Sequence, residues 1–171
     1  MKKLFMMMCL CAMAVCANAQ KVTVWYGANM AKVSGDADID SEFKFLNLGV
    51  TYTAPIANQF DWSVGAAYVT KGGKEWDPSL IQLDVNAHYN FLADDDVKVG
   101  VLAGPYIGYT INDDDMEDMK KLDYGIGVGV QGMYKQFSLK VGYEFGLANF
   151  VDVSGASAKM NGLYFRLGYS F

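Results

Sequence analysis

The sequence predicts an all-β chain wound into an eight-stranded antiparallel up-and-down transmembrane β-barrel. Three observations carry that expectation. Hydrophobicity alternates with period two in eight separate segments, aromatic residues gather toward both ends of the apolar face, and the connections alternate between short and long.

The first nineteen of the 171 residues stand apart. Lys2 and Lys3 make a basic start, Leu4 to Ala17 is an apolar run of 14, and Ala17-Asn18-Ala19 is a small-x-small cleavage site. A secretory signal peptide is expected over residues 1–19, too short to cross a bilayer as a helix, with residues 20–171 forming the exported barrel domain. Cys9, Cys11 and Cys16 all lie in this leader, so the exported part has no disulfide, thiolate nucleophile or cysteine-based metal site. Val15 is a poor fit to the small residue that lipid attachment at Cys16 would require. Without Lys2 and Lys3, 12 basic side chains face 19 acidic ones, a net charge of −7, and a nucleic-acid partner is disfavoured. No run beyond the leader approaches the roughly 18 apolar residues of a membrane helix.

The alternating segments follow in order. Val22, Val24, Tyr26, Ala28 and Met30 share one face, against Thr23, Trp25, Gly27 and Asn29. Leu46, Leu48, Val50 and Tyr52 oppose Asn47, Gly49 and Thr51, and Phe60, Trp62, Val64, Ala66 and Tyr68 oppose Asp61, Ser63, Gly65 and Ala67. The fourth segment is unbroken, with Ile81, Leu83, Val85, Ala87, Tyr89 and Phe91 against Gln82, Asp84, Asn86, His88 and Asn90. Val97, Val99, Val101, Ala103, Ile107 and Tyr109 oppose Lys98, Gly100, Leu102, Gly104, Tyr106 and Gly108. Tyr124, Ile126, Val128, Val130 and Tyr134 oppose Asp123, Gly125, Gly127, Gly129 and Gln131. Phe137, Leu139, Val141, Tyr143 and Phe145 oppose Ser138, Lys140, Gly142, Glu144 and Gly146, and Leu163, Phe165, Leu167, Tyr169 and Phe171 oppose Gly162, Tyr164, Arg166, Gly168 and Ser170. Each segment reads as about ten residues, the length a tilted strand needs to cross a bilayer.

Alternation alone does not say which face is wet, because a soluble barrel alternates too. The polar face is rich in glycine and poor in lysine and glutamate, which suits the crowded inside of a narrow barrel. Tyr52, Phe60, Trp62, Tyr89, Phe91, Tyr134, Phe137, Tyr169 and Phe171 collect at one end of the apolar face, and Tyr68, Tyr109, Tyr124 and Phe145 toward the other. Two girdles around an aliphatic belt match a lipid-facing wall. The connections at 54–59, 92–96 and 135–136 are short, while those at 31–42, 71–79, 112–121 and 148–159 are longer and polar.

Gly104-Pro105-Tyr106-Ile107-Gly108-Tyr109 lies in the fifth segment, Asp123-Tyr124-Gly125 opens the sixth, Tyr143-Glu144-Phe145-Gly146-Leu147-Ala148-Asn149 closes the seventh, and Leu167-Gly168-Tyr169-Ser170-Phe171 ends the chain. With these marks residues 20–171 resemble the outer-membrane β-barrel domain family, the small porin-like, opacity-type barrels of Gram-negative bacteria. The resemblance implies an integral protein of the cell outer membrane with periplasmic termini, in contact with outer-membrane lipids and lipopolysaccharide. It also implies insertion by the barrel assembly machinery, which reads a C-terminal aromatic with apolar residues two and four places earlier. Phe171, Tyr169 and Leu167 match that signal. Members of the family include adhesins, host-defence resistance factors, lipid-modifying enzymes and barrels of unassigned role, so fold analogy does not select an activity.

The residues themselves say more about the interior. Asp61, Asp84, Asp123 and Glu144 share the polar face with Lys98, Lys140, Arg166 and His88. Unpaired buried charges are costly, so these groups are expected to pair into a self-neutralising plug. A ring of one sign would instead select ions, and the alternative reading is a narrow pore for ions or small solutes. Eight strands enclose only enough room for side chains, which favours the plug. Gly125, Gly127 and Gly129 are expected to leave room for a bulky side chain from across the lumen, such as Trp25, Tyr106 or Tyr164. His88 has no serine beside it in its own segment, so a lipid-modifying enzyme is the least favoured reading and no catalytic residue is assigned.

Two features lie in the long connections. Asp36, Asp38, Asp40 and Glu42, and Asp113 to Asp118, read as solvated acidic loops. The alternative is binding of Ca²⁺ or a divalent bridge to lipopolysaccharide phosphates, but Ser41 and Asn47 stand where an EF-hand needs glycine and glutamate, so solvated loops are favoured and no metal site or cofactor is assigned. Trp76 is the conspicuous loop aromatic, a candidate surface contact or an interfacial anchor.

Overall fold

The computed structural model describes residues 20–35, 39–71, 78–94, 96–112, 121–148 and 158–171. The leader, Trp76, Asp36, Asp38 and the run from Asp113 to Asp118 lie outside the described residues. The alternating segments form β1 (Lys21–Gly35), β2 (Ile39–Ala57), β3 (Phe60–Thr70), β4 (Ser79–Ala93), β5 (Val97–Thr110), β6 (Leu122–Tyr134), β7 (Phe137–Gly146) and β8 (Ala158–Ser170). Every strand pairs antiparallel with its neighbours in chain order, and β1 pairs with β8 to close the barrel. Closure removes the unpaired sheet edge, the condition for strands to sit in hydrocarbon. Among the described residues no helix is long and apolar enough to cross a membrane.

Period two becomes inside and outside without an error across residues 80–91 of β4. Gln82, Asp84, Asn86, His88 and Asn90 are buried, while Ile81, Leu83, Val85, Ala87 and Tyr89 are exposed. Throughout the barrel the exposed wall is apolar and most of the buried interior is polar, the inverse of a water-soluble fold. So continuous an apolar exterior marks a membrane surface. At the short-turn end the aromatic band is built from ring contacts, Phe60–Tyr89 at 5.1 Å and Phe137–Tyr169 at 5.5 Å directly across the ladders. Tyr52 meets Trp62 at 5.9 Å, and Phe171 meets Tyr169 at 5.1 Å. Leu167, Tyr169 and Phe171 all lie on the exposed face.

Strand length departs from the expected ten residues, running from 10 in β7 to 19 in β2. The stretch read as a loop at 31–42 is largely a hairpin, with Val33 paired to Ile39. Where a hairpin rises beyond the lipid both its faces meet water, so the hydrophobic contrast fades while the ladder continues. Within this hairpin Gly27 pairs with Asn47 and Asn29 with Lys44, so Phe45 and Leu46 together face one residue of β1 in a bulge. Both side chains point outward, and Phe43 stacks on Phe45 at 6.1 Å.

A second irregularity sits in β5. Pro105 lacks an N–H, and the β4–β5 ladder skips from Asp84–Tyr106 to Ala87–Ala103 around it. The β4 backbone at Val85 and Asn86 comes so close to Gly104 that a β-carbon there would collide with it.

Candidate functional site: the packed lumen

The inward faces of all eight strands meet in one lumen, and its contacts fall into two tiers. Toward the short turns, Lys98 Nζ reaches Asp61 Oδ2 at 3.3 Å, and Asn90 Nδ2 donates to the same oxygen at 2.8 Å. Gln131 Nε2 donates to Asn90 Oδ1 at 3.1 Å, which leaves Gln131 Oε1 facing His88 Nδ1 at 2.9 Å. The amide oxygen is an acceptor only, so His88 carries its proton on Nδ1. His88 Nε2 then accepts from the Ser63 hydroxyl at 2.7 Å.

The pairing brings His88 a serine from the neighbouring strand. Within β4 no serine stands beside it, as expected, but Ser63 approaches from β3 across the ladder. The arrangement has the elements of an activated hydroxyl. Ser63 is 0% and His88 1% exposed, however, so the pair is closed off from solvent and each group satisfies a buried polar partner.

Toward the long connections the pairing is charge-assisted. Lys71 Nζ sits 2.9 Å from Asp123 Oδ2 and 2.8 Å from Glu144 Oε2, 4.4 Å above the centre of the Tyr106 ring. Glu144 Oε1 also accepts from Gln82 Nε2 at 2.8 Å and from Arg166 at 3.2 Å. Arg166 lies 3.9 Å from Asp84 Oδ1, which Asn86 Nδ2 holds at 2.8 Å, and its guanidinium is sandwiched between Trp25 at 4.5 Å and Tyr164 at 4.4 Å. Burial works against the Lys71 ammonium, yet the Glu144 and Asp123 carboxylates outweigh it and hold its pKa above the usual lysine range.

Lys71 is the lumen residue that sequence reasoning missed, having assigned it to a loop. It follows the last residue of β3 and is only 3% exposed. Its signal was parity: continuing the inward set of Asp61, Ser63, Gly65 and Ala67 reaches Val69 and Lys71, both buried. With Lys71 included, four carboxylates face four cations. Pairing is not complete, because Lys140 faces Arg166 across the β7–β8 ladder and makes no ion pair among the described residues.

The glycine expectation holds in part. A β-carbon at Gly125 would meet the Tyr106 ring at 2.8 Å, and one at Gly129 would meet the Tyr164 hydroxyl at 2.8 Å. Trp25 packs against Gly49 on its own side of the barrel, away from the glycine run of β6. Gly127 is not filled by an aromatic side chain. It borders a cavity of ≈ 10 Å³ with Gly104, Asp84, Glu144 and Arg166, room for about one water. A further cavity of ≈ 560 Å³ lies against the outer wall, where the paired Ala87 and Ala103 leave a dent beside Phe60, Tyr89 and Val128. No cluster of metal-ligating residues occurs among the described residues.

No family model matches the chain, and no curated protein matches it. Solved structures do. The crystal structure of Neisserial surface protein A is 17% identical and covers 90% of this chain and 98% of its own, with a TM-score of 0.53. Ail, the attachment invasion locus protein of Yersinia pestis, crystallised with the heparin analogue sucrose octasulfate, is 16% identical over 89% and 99% of the two chains, TM-score 0.50. The outer membrane enzyme PagL is 11% identical over 85% and 98%, TM-score 0.53. At these identities the likeness is one of fold, and the fold is that of the eight-stranded outer-membrane β-barrels.

Proposed function

We propose that this chain is an integral outer-membrane barrel whose lumen is plugged by its own side chains, and that it acts without catalysis, in envelope integrity or surface interaction through its loops. The observation that carries this reading is the two-tier lumen. Polar side chains from every wall bond to one another, and the cavities between them have room for about one water each. The apolar exterior supports a barrel seated in lipid, and the signal-peptide reading of residues 1–19 supports export of the chain. On this reading Leu167, Tyr169 and Phe171 present the insertion signal to the barrel assembly machinery. The outer wall meets outer-membrane lipids and lipopolysaccharide.

Planar-bilayer recording with purified barrel tests the plug, using heat-modifiable gel migration to establish that the barrel is folded. Folded protein that leaves the bilayer silent supports it, and reproducible unitary conductance overturns it. A narrow pore is the second reading, favoured by the inward Lys140, which has no ion pair among the described residues, and by the gap at Gly127. It requires a conductance that shifts in Lys140→Gln. Lipid modification is the third, and requires a mass change in lipid A or phospholipid that His88→Ala abolishes.

A further inference from the structure

We propose that the loop end of the lumen is a binding site for a primary ammonium cation, built from Asp123, Glu144 and the Tyr106 ring and filled in the resting barrel by the chain's own Lys71. The inference rests on the plugged-lumen reading and makes one part of that plug a removable, tethered ligand. Lys71 lies past the end of β3, and its backbone N–H bonds to Pro78 O at 3.0 Å across the β3–β4 connection. Its ammonium makes its ion pairs away from β3 and β4. The groups around it come from three others, Tyr106 from β5, Asp123 from β6 and Glu144 from β7.

Those three groups are held in place without the lysine. The Tyr106 hydroxyl lies 3.4 Å from Asp123 Oδ1, and Gln82 and Arg166 both donate to Glu144 Oε1. What remains is one oxygen on each carboxylate and an aromatic face, arranged around a point 2.9 Å, 2.8 Å and 4.4 Å away. That shell matches an R–NH₃⁺ group: two N–H bonds to carboxylates, with the charge over a ring. A quaternary ammonium has no N–H to give. Two independent features mark the place as a site. Gln82 Oε1, fully buried beside Glu144, has no hydrogen-bond partner, and a cavity of ≈ 10 Å³ is bordered by Lys71, Glu144, Met160 and Tyr164. Removing the Lys71 side chain would take from Asp123 its ion-pair partner among the described residues and leave Glu144 paired with Arg166.

The test is chemical rescue of full-length barrel, read as the temperature of the heat-modifiable band shift. Lys71→Ala should lower that midpoint by roughly 10 °C, the scale of a broken buried ion pair. Ethylammonium chloride should restore at least half of the loss, whereas sodium chloride and tetramethylammonium chloride at the same concentration should not. Equal recovery in all three salts, or none in any, overturns the proposal. Lys71→Met keeps the stem and serves if the alanine variant does not insert. Insertion of either variant only when ethylammonium is present supports the site, and failure of both with it present counts against it. Bilayer conductance of the wild-type barrel is recorded alongside. Conductance there refutes the plug, while the rescue still decides the cation site.

Discussion

At Gly142 the Tyr164 hydroxyl and ring carbon occupy the space a side chain would need, whereas a β-carbon at Gly127 meets nothing nearer than Glu144 Cγ and Gly104 O at 3.8 Å. Gly142→Ala should therefore destabilise the barrel by about 1–3 kcal/mol, as overpacking does. Gly127→Ala should stay within about 0.5 kcal/mol. Urea titration of the folded gel band compares them, and equal costs would mean that Tyr164 is not seated on the glycines. Lys135, in the turn between β6 and β7, has a φ of 54°, a left-handed conformation in which a β-carbon crowds the following carbonyl. Lys135→Gly is expected to stabilise the barrel by up to about 1 kcal/mol in the same titration. Lys71 adds a pH dependence with a definite sign. Because its folded pKa is raised, its pairing contributes fully below the ordinary lysine value of 10.5 and is lost as pH climbs through the raised one. Wild type and Lys71→Met should thus differ by a constant amount at neutral and mildly alkaline pH and converge only in strongly alkaline buffer.

At the scale of the strand, the outward belt carries a depth-dependent expectation. Val128 lies on the exposed face of β6, opposite Ala103 and Tyr143 in the flanking ladders. Val128→Arg should cost about 2–4 kcal/mol, as arginine does near the middle of a lipid-facing wall, and the same change at Tyr134 beside the turn about 0–1 kcal/mol. Folding into bilayers of defined lipid measures both, and similar costs at the two depths would refute the assigned membrane level. The strands were legible because their two faces meet solvents of opposite polarity, which writes period two into the sequence. The β1–β2 hairpin was not, since residues 31–42 rise to where that contrast ends. Site contacts were legible only within a strand. Parity put His88, Asp61 and Glu144 inside, but Ser63 meeting His88 depends on the β3–β4 register, and Lys71 on a side chain reaching across the lumen. Neither is encoded in local spacing.

For the molecule as a whole, the seam between β1 and β8 is continuous from Thr23–Ser170 to Gly35–Ala158. The Thr23 and Ser170 hydroxyls bond at 2.8 Å although 147 positions separate them, and Phe171 N donates to Val22 O at 2.9 Å. The two ends of the described chain thus lie side by side at the short-turn end, joined by the same ladder as any other neighbours. As far as strand pairing goes, the barrel has no first strand. A circular permutant that links residue 171 to residue 20 through a short glycine linker and opens between β7 and β8 would keep all eight ladders while moving Leu167, Tyr169 and Phe171 into the interior of the chain. Such a molecule should refold into detergent micelles like the parent yet fail to reach the membrane in cells. Shape and the proposed insertion address would then be carried by different molecules.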